Sequence, residues 1–283
     1  MIPPATLDAV IRAALAEDAP WGDVTSESLL PAGAQAQAEL TAREPGVLAG
    51  IDAFVATMHA VDPAIETEVL VGDGSPFAAG ALLARVTGDA RAILRAERVG
   101  LNLVQRLSGI ATETARYVEA VQGTGARIVD TRKTTPGLRA LERHAVRCGG
   151  GHNHRFSLSD AVLAKDNHLA VLTRDGRDLT EALREARERL GHTVHFEVEV
   201  DRIDQIEPVI AAGVDTIMLD NFTPARLREG VALVAGRALV EASGGVSLAT
   251  VAEIARTGVD VVSVGAITHS VRSLDLGLDV AVG

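Results

Sequence analysis

The sequence predicts an α/β protein made of an N-terminal α+β part followed by a βα barrel. The chain has 283 residues, which is enough for one large domain or two smaller ones. Its first third mixes helical and strand patterns without a regular order, and glycines and prolines separate them. From about residue 127, short apolar strands alternate with helices at nearly even spacing, which favours a closed barrel over an open parallel sheet.

The N-terminal elements follow from local periodicity. Apolar residues at helical spacing predict a helix over Thr6–Glu17, and two apolar stretches predict strands over Ala36–Ala49 and Glu66–Val71. A long helix is predicted over Asp89–Ser108. Five long polar side chains of this helix share one face, because they fall at i, i+4, i+7, i+11 and i+15. They are Arg91, Arg95, Arg98, Asn102 and Arg106.

The barrel is predicted to contain six strands, two fewer than a complete eightfold barrel. The predicted strands are Arg127–Asp130, Ala161–Ala164, Val194–Val200, Asp215–Leu219, Ala238–Val240 and Asp260–Val264. The helices between them are Leu138–Arg147, Leu179–Leu190, Ile203–Ala212, Pro224–Val234 and Leu248–Thr257. The tail after Ala266 is short, and we expect it to pack back on the first domain.

Composition excludes two classes of partner. The chain has 27 Lys and Arg against 38 Asp and Glu, a net charge of −11, and 2% aromatic residues. Nucleic-acid binding needs cations and stacking rings, so we expect no nucleic-acid partner. No apolar run approaches the roughly 18 residues of a membrane span, and Met1–Pro20 lacks a leader pattern, so we expect a soluble protein. The single cysteine, Cys148, excludes an internal disulfide and fits a reducing cytoplasm.

Polar residues occupy the predicted strand ends, which is where βα barrels carry their chemistry. The chain has only two lysines, Lys133 and Lys165, and both stand at such ends. A chance distribution of the lysines is the alternative. The other strand-end residues are Thr131, Arg132, Asp166, Asn167, His168, Glu197, Glu199, Asp201, Asp220, Asn221, Glu241, Ser243, Gly244, Gly245 and Gly265.

Cations are concentrated between Arg132 and Arg155. This segment has six cationic residues and one acidic residue, a net charge of +5 within a chain of −11. Arg139, Arg143 and Arg147 fall at helical spacing, which is typical of a solvated helix face. We adopt that interpretation for Arg143 and Arg147 only. The cations outside the helix, and His154 beside Arg155, predict an anion-binding pocket, because arginine holds carboxylate or phosphate bidentately.

Two acidic residues, Glu199 and Asp220, end adjacent strands of this predicted anion site. Paired carboxylates suit Mg²⁺, which can bridge to phosphate oxygens, whereas a structural ion-pair network is the alternative. The turns Ser243-Gly244-Gly245 and Gly265-Ala266 are each weak indications of phosphate binding.

A transition-metal site is a further alternative for four residues of this region. Cys148, His152, His154 and His168 match no common zinc spacing, so this alternative has little support. The residues therefore predict a two-domain barrel enzyme that binds a polyanion with Mg²⁺, and leave its reaction open.

A set of sequence motifs spread over the chain closely resembles the quinolinate phosphoribosyltransferase family, also called decarboxylating nicotinate-nucleotide diphosphorylase. The resemblance runs from near the start of the chain to residue 270. The motifs are EDAPWGDVTS (17–26), ERVGLNLVQRLSGIAT (97–112), DTRKTTPGLR (130–139), GGGHNHR (149–155), LAKDNHL (163–169), EVEVD (197–201), IMLDNF (217–222), EASGG (241–245) and VGAITHS (264–270).

The resemblance implies a glycosyltransferase that transfers a pentosyl group. Phosphoribosyl pyrophosphate and quinolinate would give nicotinate mononucleotide, pyrophosphate and CO₂ in de novo NAD synthesis. The implied fold is an N-terminal open sandwich over residues 1–108, an incomplete seven-stranded α/β barrel over 109–265, and a C-terminal segment, 266–283, that packs back on the N-terminal domain. The implied assembly is a homodimer whose active sites are shared between subunits.

The resemblance also implies roles for individual residues. Lys133 would contact the ribosyl substrate, Glu199 and Asp220 its ribose and Mg²⁺, and Arg98 would reach the partner subunit's site. The set implied for the two quinolinate carboxylates is Arg132, His154, Arg155 and Lys165. The set implied for the phosphate is Ser243, Gly244, Gly265 and His269.

Three other functions stay open at this point. The first is a related phosphoribosyltransferase acting on nicotinate or another aromatic acid, although two pairs of cationic groups favour a dicarboxylate. The second is a Schiff-base lyase with Lys165 as nucleophile. The third is a non-enzymatic sensor of phosphorylated metabolites on the same barrel.

Overall fold

The computed structural model describes residues 2–281 and divides them into two compact units. The first unit comprises residues 2–115, 134–150 and 267–281, and the second comprises Arg116–Lys133 and Gly151–Ala266. The predicted α/β class is confirmed. The domain borders expected at residues 108 and 265 stay predictions, because the compact units are built from interleaved segments of the chain.

The first unit is built on an antiparallel sheet whose strands lie in the order Leu276–Ala281, Gln35–Ala42, Leu82–Asp89 and Glu66–Val69. The last of the described strands pairs with the first in the register Leu40 opposite Leu278. The strands of this unit are β1 (Gln35–Ala42), β2 (Gly46–Val47), β3 (Glu66–Val69), β4 (Pro76–Phe77), β5 (Leu82–Asp89) and β12 (Leu276–Ala281). The helices that lie within it are α1 (Pro4–Asp18), α2 (Val24–Leu29), α3 (Ile51–Val61) and α5 (Arg139–Cys148).

The core of the first unit follows from the alternation of β1. Leu40 is fully buried, whereas Gln35 and Gln37 of the same strand are exposed. The buried face belongs to one hydrophobic cluster with Phe54 and Met58 of α3. Burying a side chain of this size stabilises the fold by about 1.5–3 kcal/mol.

The long helix α4 runs from Ala90 to Ala120, so the predicted end at Ser108 was wrong. Ser108 and Gly109 suggest a helix end by composition, but tertiary contacts use both of them. The Ser108 hydroxyl accepts a hydrogen bond from the backbone N–H of Ala49 at 3.1 Å. A Cβ at Gly109 would lie 2.2 Å from the carbonyl oxygen of Arg272, so only glycine fits there.

The second unit is a parallel βα structure. Its strands are β6 (Arg127–Val129), β7 (Ala161–Ala164), β8 (His195–Val200), β9 (Thr216–Asp220), β10 (Leu239–Ser243) and β11 (Val261–Ser263). Its helices are α6 (Asp166–Thr173), α7 (Leu179–Glu188), a 3₁₀ turn (Ile203–Gln205), α8 (Ile206–Ala211), α9 (Pro224–Val234) and α10 (Val251–Ala255). A short helix, α11 (Ala266–His269), begins at the end of this unit.

The strand order β6-β11-β10-β9-β8-β7 pairs the first strand with the last, which is the pairing expected of a barrel. All six predicted strands are present, with ends shifted by at most three residues. A parallel bridge joins Val129 to His152 at the free edge of β6. The described sheet therefore has six strands and one bridge where the resemblance implies seven strands.

The parallel strands place polar side chains at one end of the sheet. In β8, Phe196, Val198 and Val200 are buried, and Glu197 and Glu199 alternate with them. The carboxyl ends of parallel strands meet at the same edge, so the residues that follow the strands are neighbours. Across the described residues, no helix is both long enough and apolar enough to cross a bilayer.

Candidate active site

A buried aspartate organises the end of β6. Asp130 is fully buried and accepts hydrogen bonds from the Asn153 side-chain amide at 2.6 Å and the His154 backbone N–H at 2.7 Å. It therefore fixes the loop that carries His154 and Arg155. Asp130 was placed at the end of the predicted strand Arg127–Asp130 but was not proposed as a site residue, although an acid at the end of an apolar strand is a recognisable pattern.

Two arginines lie close enough to repel each other. Burial and the positive charge of Arg132 lower the pKa of Arg155. The Nε of Arg132 is buried and has no hydrogen-bond partner among the described residues. A bound anion would reduce the electrostatic repulsion between two neighbouring guanidinium groups. Each guanidinium can also bind the anion through two hydrogen bonds.

His154 faces two buried glutamates. Its Nε2 lies 3.1 Å from a carboxylate oxygen of Glu197 and 3.6 Å from one of Glu241. Burial opposes the charged ring, but these carboxylates outweigh it and raise the pKa of His154. The Nδ1 of His154 accepts the Arg155 backbone N–H at 2.7 Å, so in this geometry the ring proton is on Nε2.

Glu241 has an unusual acidity. Burial and the nearby Glu197 raise its pKa to about 8. One carboxyl oxygen of each glutamate is buried and has no hydrogen-bond partner within the described part of the chain. Glu197 and Glu241 were noted as strand residues and were not assigned to the site, because a linear pattern does not reveal which strands bring two acids together.

Lys165 and Glu199 form an ion pair across neighbouring strands. Lys165 follows β7, and Glu199 lies on β8, where Ala164 pairs with Val198. The Glu199 side chain is 13% exposed and the Lys165 side chain is 45% exposed. The Nδ1 of His168 accepts the Lys165 backbone N–H at 3.0 Å, so His168 caps the start of α6.

The turns after β9 and β10 interlock. Asn221 has a positive φ of 58°, its side chain donates to Asp220 at 2.6 Å, and its backbone N–H donates to the carbonyl of Ser243 at 2.9 Å. Gly244 has a φ of 91°, and a Cβ there would lie 2.8 Å from the backbone nitrogen of Asn221. Only glycine fits this approach. Asn221 was noted at its strand end but not proposed as a site residue.

The remaining predicted residues are distributed over both units. In the second unit, Lys133 is exposed and Gly265 is partly buried. Arg98 and His269 belong to the first unit and are exposed, and the Nδ1 of His269 lies 2.6 Å from the Ser270 hydroxyl. The site roles of all predicted residues stay predictions.

The zinc combination considered from the sequence is not formed. Two groups of three metal-ligand side chains occur among residues 2–281, one with Asp73, His144 and Cys148 and one with His154, Glu197 and Glu241. Neither group contains more than one of the four residues considered from the sequence.

The donor chemistry of Glu199 and Asp220 fits Mg²⁺. Both offer carboxylate oxygens from adjacent parallel strands, β8 and β9. Neither belongs to the three-residue groups. Mg²⁺ typically keeps several waters and takes one or two carboxylates together with substrate phosphates, so two protein ligands suffice.

Sequence comparisons match both parts of the chain to one family. The profile of the quinolinate phosphoribosyl transferase N-terminal domain matches residues 23–108, and that of the C-terminal domain matches residues 110–279. The chain is 45% identical to the nicotinate-nucleotide pyrophosphorylase [carboxylating] of Mycobacterium leprae, over 95% of each chain. It is 43% identical to the probable enzyme of the same name from Bacillus subtilis, over 93% of this chain and 90% of the relative.

Solved structures also superimpose closely on this chain. The nicotinate-nucleotide pyrophosphorylase of Francisella tularensis superimposes with a TM-score of 0.93 at 36% identity, covering 99% of this chain and 98% of that one. NadC from Streptococcus pyogenes superimposes with a TM-score of 0.94 at 39% identity, covering 99% and 97%.

Proposed function

The chain belongs to the quinolinate phosphoribosyltransferase family, and from this premise we infer that it transfers a phosphoribosyl group to quinolinate. Phosphoribosyl pyrophosphate is the donor, and the products are nicotinate mononucleotide, pyrophosphate and CO₂. The reaction is a step of de novo NAD synthesis. The chain is accordingly a phosphoribosyl-transferring enzyme.

The observation that carries the substrate assignment is that burial and the positive charge of Arg132 both lower the pKa of Arg155, which disfavours its charged form. Such a pair is unfavourable without an anion and favourable with one. Lys165, which follows β7, offers a further hydrogen-bond donor, and the carboxylate-binding role implied for His154 stays a prediction. Three cationic side chains suit the two carboxylates of quinolinate better than the single carboxylate of nicotinate.

The acids at the ends of β8 and β9 act on the ribosyl donor. As pyrophosphate leaves, positive charge develops at the anomeric carbon, and the carboxylates of Glu199 and Asp220 stabilise it electrostatically. Bound Mg²⁺ supplies charge neutralisation for the pyrophosphate. Lys133 contacts the departing phosphates as a second cation. Ser243, Gly244 and Gly265 hold the phosphate of the ribosyl group, and the role implied for His269 stays a prediction.

The pyridine nitrogen of quinolinate attacks the anomeric carbon. It becomes positively charged, and this charge stabilises the carbanion that remains when the adjacent carboxylate leaves as CO₂. A proton then replaces the lost carboxylate. No bond to the enzyme is needed. Lys165 is paired with the carboxylate of Glu199, and we assign it to binding carboxylate and not to Schiff-base chemistry.

Exposed apolar residues support a homodimer with a shared site. Trp21, three residues before α2, and Leu29, the last residue of α2, are 92% and 76% exposed. Arg91 of α4 donates to the backbone carbonyls of Glu27 and Leu30, so α2 packs against the arginine face of α4. Arg98 lies on this same face and is exposed. A second copy of the chain would cover the apolar residues and bring Arg98 to its own site.

A cytoplasmic location is part of the proposal. Cys148 is the only cysteine and is free, so the fold has no internal disulfide that an oxidising compartment would favour.

The reaction is tested by following two of its three products. Purified protein with quinolinate, phosphoribosyl pyrophosphate and Mg²⁺ should release nicotinate mononucleotide and CO₂ in equal amounts. Arg155→Ala should reduce turnover by at least about tenfold, as expected for a lost charged contact. Arg189→Ala, at an exposed arginine of the second unit, is the matched control.

Two results would contradict the proposal. Nucleotide formation without CO₂ would indicate a related transferase for another acid. A covalent adduct with quinolinate that borohydride traps at Lys165 would indicate Schiff-base chemistry.

A further inference from the structure

Three metal-ligand side chains of the first unit meet outside the strand-end site. Asp73 lies in the turn between β3 and β4, whereas His144 and Cys148 lie on α5. Their spacing of four residues puts the two α5 side chains on one helix face. One ligand atom from each of the three residues lies within 4.8 Å of the others. The proposed phosphoribosyl transfer uses none of them.

Both contacts of this cluster converge on a single nitrogen. The Nε2 of His144 lies 2.7 Å from Oδ2 of Asp73 and 3.4 Å from Sγ of Cys148. One N–H can be well aligned with only one of these two acceptors. A catalytic relay would place the acid on the opposite ring nitrogen from the nucleophile, so the cluster is not one. A single cation, in contrast, can contact all three atoms.

Backbone contacts hold the carboxylate of Asp73 in position. Its Oδ1 accepts the N–H of Ile51 and its Oδ2 accepts the N–H of Gly50, both at 3.0 Å, at the start of α3. A carboxylate has about four lone-pair sites, so capacity for a cation remains after these bonds. The turn is also packed against α5, since a Cβ at Gly74 would lie 3.6 Å from the carbonyl oxygen of Cys148.

We propose that Asp73, His144 and Cys148 bind a zinc ion, with water in the fourth position. Thiolate, imidazole and carboxylate are zinc ligands, whereas Mg²⁺ and Ca²⁺ prefer oxygen ligands alone. Tetrahedral zinc bonds of about 2.1 Å to nitrogen and about 2.3 Å to sulfur hold these atoms about 3.6 Å apart. The 3.4 Å separation of His144 and Cys148 is close to this, and the Asp73–His144 separation would open by less than about 1 Å.

The cluster is shielded but reachable. The side chains of Asp73 and His144 are 16% and 15% exposed, and Cys148 is partly buried. The ion would join the β3–β4 turn to α5 and raise the stability of the first unit by mass action.

Cobalt(II) is the probe, because its bond to a thiolate gives a near-ultraviolet absorption band. Cys148 is the only cysteine, so the band reports this site alone. In the full chain the band should saturate at one equivalent of Co²⁺, disappear on addition of Zn²⁺ and persist in a large excess of Mg²⁺. The variant Cys148→Ser should lose the band.

The other two ligands are tested by affinity. His144→Asn and Asp73→Asn should each weaken Co²⁺ binding by at least about tenfold, the loss that even a partner outside the ligand shell causes. His59→Asn, at an exposed histidine of α3, should leave the affinity unchanged. A measurement on the unaltered chain needs no folded variant: Zn²⁺ should slow the alkylation of Cys148 by iodoacetamide.

Two results would overturn the site. The first is the absence of a thiolate band and of alkylation protection at saturating metal. The second is a band whose affinity does not change in His144→Asn and Asp73→Asn, since that would indicate a thiol acting without the other two residues.

Discussion

Glu241 should make the stability of the second unit depend on pH. Its pKa is raised from 4.5 to about 8 by burial and by Glu197. The folded state then binds a proton that the unfolded state releases, so this contribution to stability is present below pH 4.5 and is lost as pH rises through about 8. Glu241→Gln keeps a neutral group and should remove this pH dependence.

Urea unfolding at pH 6 and pH 9 measures the effect. From pH 6 to pH 9, the free energy of unfolding of Glu241→Gln should rise by at least about 1.4 kcal/mol relative to that of the unaltered chain. This difference is the equivalent of one pKa unit. Glu253→Gln, at an exposed glutamate, should show no such gain. Equal pH dependence of the Glu241→Gln variant and the unaltered chain would show that Glu241 is ionised in the folded state.

The carboxylates of Glu199 and Asp220 should matter more for turnover than for quinolinate binding. Their proposed charge acts on the ribosyl cation, so Glu199→Gln and Asp220→Asn should each lower kcat by about 10²-fold or more while changing the quinolinate Kd by much less. Steady-state kinetics and equilibrium binding give the two numbers. Asp201→Asn, at an exposed acid after the same strand as Glu199, is the control. Unchanged kcat in either variant would remove that residue from the chemistry.

The site residues divide according to what a linear sequence can reveal. Lys133, Lys165 and Asp220 were predicted because each stands at or after the end of a strand and parallel strands share an edge, and their site roles stay predictions. Asp130 and Glu241 were missed because their importance lies in partners on other strands: Asn153 for one and Glu197 for the other. Burial, which sets the acidity of Glu241, is a property of the folded chain and not of any sequence window.

At the scale of elements, the interlocked turns after β9 and β10 lead to a matched pair of variants. Gly244 and Gly245 both have positive φ, of 91° and 60°, but only a Cβ at Gly244 meets other atoms within 4 Å. An alanine at either position would destabilise the fold by about 1–2 kcal/mol, because it would have to adopt a left-handed backbone conformation. Gly244→Ala must also displace Asn221.

The difference between these variants isolates the contact between the turns. Gly244→Ala should raise KM for phosphoribosyl pyrophosphate by about tenfold or more beyond Gly245→Ala, an added cost of about 1.4 kcal/mol. It should also unfold at lower urea concentration. Equal KM values in the two variants would show that the spacing of the turns does not shape the phosphate site.

Elements with strong periodicity were predicted well, and the others were not. The helix Pro224–Val234 and the strand Ala161–Ala164 have the predicted ends. The strand β5 was missed because its sequence continues directly into the long helix without a turn. α4 continues past Ser108 because Gly109 is held by packing against Arg272, and tertiary contact overrides the low helix propensity of glycine.

At the scale of the whole molecule, the shared-site dimer predicts rescue between two inactive variants. Arg98→Ala and Lys165→Ala should each be nearly inactive alone. In a mixed dimer one site combines an intact Lys165 with the partner's intact Arg98, whereas the other site lacks both. Random pairing gives about half mixed dimers, so co-expression should restore roughly a quarter of the activity.

The reference for this experiment is a verified mixed dimer carrying two different affinity tags. If Arg98 acted within its own subunit, every site would lack one group and no activity would return. Absence of rescue from the mixed dimer would therefore return Arg98 to the role of a solvated residue on the face of α4.

The central claim is that the second unit binds both carboxylates of quinolinate, and the ratio of kcat/KM for quinolinate to that for nicotinate tests it most directly. With phosphoribosyl pyrophosphate and Mg²⁺ held constant, we expect a preference for quinolinate of at least about a hundredfold. The reason is that one missing carboxylate leaves partly buried cations without an anion, and a hundredfold preference corresponds to about 2.7 kcal/mol. Equal kcat/KM values for the two acids would contradict the dicarboxylate site.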